Sequence, residues 1–281
     1  MGLFDRFTTS ATQKAEITSP DAVTKLDPTQ MRLVPDVDDE AGDFEVSVRE
    51  HLERLTAVAD SDTASLTTEE FEAALTSRLV GAERIHSTGL GFSYATPFAD
   101  HVHEVLTLDL PTVVVTLPDS RIAETGRRVP SLVNRGRSNL LDLLQTAPVD
   151  VHRIGEGGRS VYALMSDSPY TASFARFLDE AARRWLPDAD DRNGFVFALP
   201  YRHAMLIQPC STPAQIRDAL DLVPEYAERM NADGVSPLSL HTYHWLGRQM
   251  TCLTTEEADG SITIRPNDVL EQQLGMGRRA G

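Results

Sequence analysis

The chain has 281 residues, 41% of them hydrophobic, enough for one large domain or a domain with an extension. Its formal net charge of −16 repels nucleic acid and argues for a basic protein partner. Two cysteines, Cys210 and Cys252, cannot make a zinc site by themselves, and no apolar run approaches the ~20 residues that span a bilayer.

MGLFDRFTTS has neither the apolar region nor the cleavage site of a signal peptide, and Arg6 stands where a myristoylation motif takes Ser or Thr. A cytoplasmic protein is expected. MGLFDRF reads at most as a short amphipathic foot, without the Lys/Arg-rich face of membrane-surface helices, so a membrane partner is not expected. Residues 1–42 read as a flexible acidic extension rich in Thr, Ser, Asp and Pro. It closes on VPDVDDEAGD, where Asp36, Asp38, Asp39 and Glu40 are candidate contacts for a basic partner.

Residues 43–281 read as a single α+β domain, with a helical part at 43–82, a sheet-containing part at 92–266 and a short C-terminal helix at 267–275. FEVSVREHLERLTAVA puts Phe44, Val48, Leu52 and Leu55 on one helical face. Thr67 and Glu70 make a capping box, and the helix they open runs through FEAALTSRLVG to a Gly81 C-cap. STGLGFSYATPFADHV reads as loop or short strand. Its Gly89-Leu90-Gly91 lacks the third glycine of a phosphate loop and follows no strong strand. VHEVLTLDL and TVVVTLP are two strands parted at Pro111. Asp119 or Ser120 caps a helix, and VPSLVNRGRSNLLDLLQT is another, ending before Pro148.

VDVHRI and SVYALMS flank Gly-Glu-Gly-Gly-Arg, a hairpin. PYTASFARFLDEAARRWL is a helix with Pro169 just inside its start. GFVFAL and AMLIQP are strands joined by a turn at Tyr201-Arg202-His203. STPAQIRDALDLVPEYAERMNADG is a capped helix ending at Gly234. LSLHTYHWL, QMTCLTTE and SITIRP are successive strands before the DVLEQQLG helix. Hairpins and helices alternate with no βαβ period, so the expected fold is α+β with a largely antiparallel sheet and helices packed on it.

No Walker loop, Gly-x-Ser-x-Gly elbow, His-Glu-x-x-His or Cys-x-x-Cys occurs in the chain. The metal candidate is His101-Val102-His103, because a strand's period of two would put both imidazoles on one face. A further ligand would come from His86, His152, His241 or His244. In HTYHW, alternation separates His241 from His244. The anion candidate is Arg128, Arg135 and Arg137, whose guanidinium forks suit carboxylate or phosphate and suit the chain's own acids equally well. The chain has 24 Arg and only 2 Lys, so arginine by itself is weak evidence for phosphate. His203 would need a nucleophile and an orienting acid to act as a base. No cofactor is expected.

Four blocks over roughly residues 105–253 carry a resemblance: Arg137-Ser138-Asn139-Leu140, Asp167-Ser168-Pro169-Tyr170-Thr171-Ala172-Ser173, FVFALPYRHAMLI and SPLSLHTYHWLGRQM. In their order they resemble the YtpQ-like family of bacterial proteins, domain of unknown function 1444. Ser168-Pro169 departs from that family's Asp-Gly, and His203 stands where it has Asp. The resemblance implies an α+β fold and a bacterial cytoplasmic setting, and it supplies no catalytic residue. The expected function is a non-enzymatic protein-binding module of adaptor or immunity type with an acidic surface. The rivals are a metal-dependent hydrolase using His101 and His103, and an anion or nucleotide sensor using the arginines at 121–137.

Overall fold

The computed structural model describes residues 15–17, 66–87, 89–111, 113–234, 236–257 and 261–276. The helix expected at residues 44–59, the MGLFDRF foot and Asp36, Asp38, Asp39 and Glu40 lie outside the described residues. Within the stretch read as a flexible extension, β1 (Ala15–Ile17) is a strand.

The first layer follows from α1 (Thr68–Ala74), β2 (Leu75–Gly81), α2 (Ala82–Ser87), β3 (Thr96–Ala99), β4 (Val102–Asp109) and β5 (Val113–Thr116). The capping box forms as expected, with Thr67 accepting from the Glu70 N–H and Glu70 accepting from the Thr67 N–H at 2.8 Å. The helix stops seven residues before Gly81, which corrects the reading of residues 43–82 as helical. LTSRLVG leaves as a strand, with every residue buried, and pairs antiparallel with β4 from Leu75↔Leu108 to Gly81↔Val102. A strand buried on both faces carries no polar alternation to announce it. Gly81 is therefore no C-cap. A Cβ there would lie 2.6 Å from the Leu238 carbonyl oxygen, so glycine permits a close backbone approach. The sheet order is β1-β5-β4-β2, with β3 also on β4; only β1–β5 is parallel.

Next come α3 (Asp119–Glu124) and α4 (Val129–Thr146). Pro118, not Asp119 or Ser120, caps α3, and the Asp119 carboxylate instead accepts from the Ser93 N–H at 2.9 Å. α4 buries Leu132, Gly136, Leu140 and Leu144, a four-residue stripe lying on β2. A Cβ on Gly136 would sit 2.8 Å from Leu106 and 3.0 Å from the Ser77 nitrogen, so the helix rests directly on the sheet.

The second layer comprises β6 (Asp150–Ile154), β7 (Val161–Met165), a 3-10 helix (Ala172–Phe177), α5 (Leu178–Trp185), β8 (Phe195–Tyr201), β9 (Ala204–Pro209), α6 (Pro213–Asp233), β10 (Thr242–Leu246) and β11 (Gln249–Cys252). The helix read from Pro169 is thus entered through 3-10 turns. The strands form an antiparallel sheet of order β11-β10-β8-β9-β7-β6. A small hairpin, β12 (Thr254–Glu256) with β13 (Ile262–Ile264), and α7 (Asp268–Gln273) close the chain.

Alternation along β8 divides the core. Val196 and Ala198 face α6, meeting Ile216, Ala219, Val223 and Ala227. Phe195, Phe197 and Leu199 face inward, meeting Phe174, Leu178, Leu140 and, from the first sheet, Leu79 and Val102. Both faces of this sheet are covered, so the fold is α+β with largely antiparallel sheets sharing one core. Cys210 is buried and Cys252 half-buried, both as free thiols. Among the described residues no helix is long and apolar enough to cross a membrane.

Candidate functional site

Arginine is seldom buried, yet Arg78 is 1% exposed and Arg202 4%. β2 carries Arg78 into the gap between the sheets, and the β8–β9 turn carries Arg202 and His203 toward the same place. Tyr201-Arg202-His203 is the expected turn, and it also works as a clasp. The Arg202 Nε–H donates to His203 Nε2 at 2.8 Å, so the imidazole proton sits on Nδ1 and is donated to the Ser168 carbonyl at 3.0 Å. Burial, then the charges of Arg202 and Arg78, push the His203 pKa down to about 4.

The loop held by this clasp is a compact polar knot. The Ser166 N–H donates to the His203 carbonyl at 3.2 Å and the Ala172 N–H to that of Arg202 at 3.1 Å. The Ser166 and Thr171 hydroxyls lie 2.6 Å apart, and Thr171 donates to the Ser168 carbonyl at 3.0 Å. Tyr170, 1% exposed, meets the Thr107 hydroxyl at 3.1 Å, and Thr107 donates to the Thr76 carbonyl of β2. A third segment lies alongside: the Leu238 and Ser239 N–H groups donate to the Pro200 and Leu199 carbonyls, and the Asn231 side chain also donates to Pro200. β2, α2 and residues 236–238 close on one another around a crevice too narrow to admit a water molecule, lined by Arg78, Gly81, Arg84, Ser236, Pro237 and Leu238.

Both ring nitrogens of His203 are engaged, and the lowered pKa keeps the ring neutral near pH 7. Neither Arg78 nor Arg84 stands out in the sequence. The one available signal was an arginine set inside the apolar run LTSRLVG, and the helical reading of that run concealed it.

The anion candidates go elsewhere. Arg137 grips the buried Glu104 carboxylate with two hydrogen bonds, at 2.8 and 2.5 Å; Arg176 approaches it at 3.3 Å and Ser77 donates to it. Burial alone would raise the Glu104 pKa, but these hydrogen bonds and charges outweigh it and lower the carboxyl overall. Arg135 donates to the Glu72 carbonyl and Arg127 pairs with the Glu72 carboxylate at 2.5 Å. Arg128 stands exposed at the N-cap of α4. Arg128, Arg135 and Arg137 therefore form no common anion site, because α4 turns Arg135 and Arg137 toward different acids and carbonyls.

The metal candidates also part company. His101 has φ 66, a left-handed turn residue before β4, so the period of two does not reach it. It stacks on His241 with ring centroids 3.7 Å apart, whereas His103 meets the edge of His86 at 6.5 Å. Burial and, next, the neighbouring imidazole lower the pKa of both His241 and His103. His244 lies apart from His241, as alternation requires: it donates to the Asn193 carbonyl at 2.7 Å and accepts from Asn267. Among the described residues no group of three or more His, Cys, Asp or Glu side chains is placed to hold a metal ion.

No family model, no curated protein and no solved structure matches the chain.

Proposed function

We propose that this is a cytoplasmic, non-enzymatic binding module that takes an extended segment of a basic protein partner as an added strand along β6. The observation that carries the reading is the outer edge of the second sheet. β6 keeps an unbroken five-residue register with β7, from Asp150↔Met165 to Ile154↔Val161, and no described strand pairs with its other side. It has no bulge or proline to blunt the edge, and its charged side chains are Asp150 and Arg153. Val151 is 41% exposed there, one of three large hydrophobic side chains so exposed among the described residues. Main-chain pairing would supply affinity, and alternate side chains such as Val151 and Arg153 would supply selection. The −16 charge favours a basic partner and speeds its approach.

The test couples capture to mapping. A partner recovered in salt-sensitive, stoichiometric form should slow amide exchange across residues 150–154. Val151→Asp should weaken that partner by about tenfold or more, since a carboxylate would be desolvated in the contact. A captured partner indifferent to both readouts would remove the edge from consideration.

A further inference from the structure

We infer that the stacked rings of His101 and His241 form an acid-sensitive latch between the two sheets, closed near neutral pH and released as both rings take up protons. His101 occupies the tight turn between β3 and β4 of the first sheet, and His241 leads into β10 of the second. Their rings lie 3.7 Å apart and 13° from parallel, so they pack face to face. The same turn is held at two other points. The Tyr243 hydroxyl donates to the Asp100 carbonyl at 2.6 Å, and the Ala82 N–H, just past β2, donates to the His101 carbonyl at 2.8 Å. The Ser239 hydroxyl completes the junction, accepting from the His241 N–H and meeting the Tyr243 hydroxyl, both at 3.0 Å.

Histidine is the side chain whose charge changes between pH 5 and 8. One protonated ring stacks well on a neutral one, as a cation over a π-face. Two protonated rings at this separation repel, and His241 is 6% exposed, so little water screens them. Burial first, and the His101 charge next, lower the His241 pKa, while Glu256 and Asp100 work in the other direction. Both acids are exposed, and water weakens their help. The other polar neighbours of His241 are the Thr254 hydroxyl, 2.9 Å from Nδ1, and the Cys252 sulfur, 3.5 Å beyond that hydroxyl. The Tyr243 phenol is kept protonated by burial. A pKa lowered in the closed state means that the open state binds the proton more readily. The stack is therefore stable above the ordinary histidine range and gives way as pH falls through the lowered value. The sheets also share the apolar contacts of Leu79 and Val102 with Phe197 and Leu199, which do not titrate, so the release is local.

Amide exchange of the full chain at pH 7 and pH 5, expressed as protection factors, tests the latch. The Ala82 N–H reports the turn, and the Ile207 N–H on the central strand β9 reports opening of the whole domain. On going to pH 5, Ala82 should lose about fivefold or more protection relative to Ile207. His101→Asn keeps a residue that tolerates the left-handed turn and removes the titrating ring. Its ratio of Ala82 to Ile207 protection should be the same at both pH values. An unchanged ratio in the wild type, or a fall that His101→Asn retains, overturns the inference. If His101→Asn fails to fold, the wild-type ring resonances decide. Titration of His101 and His241 in two coupled steps supports the latch, and independent single steps overturn it.

Discussion

His203 contributes to the pH dependence of the protein's stability, and His203→Gln should remove that contribution. In the folded chain the imidazole titrates near 4, against an ordinary value of 6.5. Between pH 7 and pH 5 the unfolded chain therefore takes up most of a proton at this residue while the folded chain takes up almost none. Stability rises with pH wherever the unfolded state binds more protons, so this contribution is present above 6.5 and is lost as pH falls toward 4. Integrated from pH 7 to pH 5, the loss is about 2 kcal/mol at 1.36 kcal/mol per pKa unit. Gln retains an acceptor for the Arg202 Nε–H and cannot be protonated. His103, His241 and His244 are depressed too, but they remain in both proteins and cancel in the difference. The assay is reversible urea unfolding at pH 7 and pH 5 for both proteins. The wild type should lose about 2 kcal/mol more than His203→Gln over that interval. Equal losses would refute the argument, and with it the placing of His203 between two guanidinium charges.

Glu104→Gln should cost about 2 kcal/mol, measured by denaturant midpoint at pH 7, below the 3–5 kcal/mol of a fully buried pair because Arg137 and Arg176 keep 29% and 31% exposure. The same change should flatten the acid limb of the stability profile, because a carboxyl with lowered pKa stabilises above the ordinary carboxylate range and loses that stabilisation as pH falls through its folded value. Gly136→Val should lose about 2 kcal/mol by pushing α4 off Leu106 and the Ser77 backbone, read as a fall in Tm with retained helix signal. Thr212→Ala removes the hydroxyl that accepts from the Gln215 N–H at the start of α6 and should cost about 1 kcal/mol in the same assay.

The features legible from sequence were those whose cause lies within a few residues. Thr67 with Glu70 and Thr212 with Gln215 announce their helices because both halves of each cap are three positions apart. Gly155 to Gly158 mark the β6–β7 hairpin because glycine reaches the positive φ that the turn uses. The stretch from Leu75 to Gly81 was misread because its apolar residues fit a helix as well as a doubly buried strand. Seven paired residues of β4, more than twenty positions further along the chain, decided between them. The His101 and His103 pairing failed for a similar reason: one left-handed residue broke the alternation, and His241 and His86 then drew the rings apart.

Amino-acid order by itself determined the capping boxes at Thr67 and Thr212, the β6–β7 hairpin, the acidic balance and the α+β class, since these express local backbone preference, side-chain period and summed charge. Only the tertiary structure decided which charges meet. Glu104 finds Arg137 and Arg176, and Arg78 comes within electrostatic reach of His203, because two sheets and α4 converge on one core. Such partners are fixed by burial. A guanidinium or carboxylate taken out of water must be matched by whatever the fold has brought beside it, and no pattern along the chain records that neighbour.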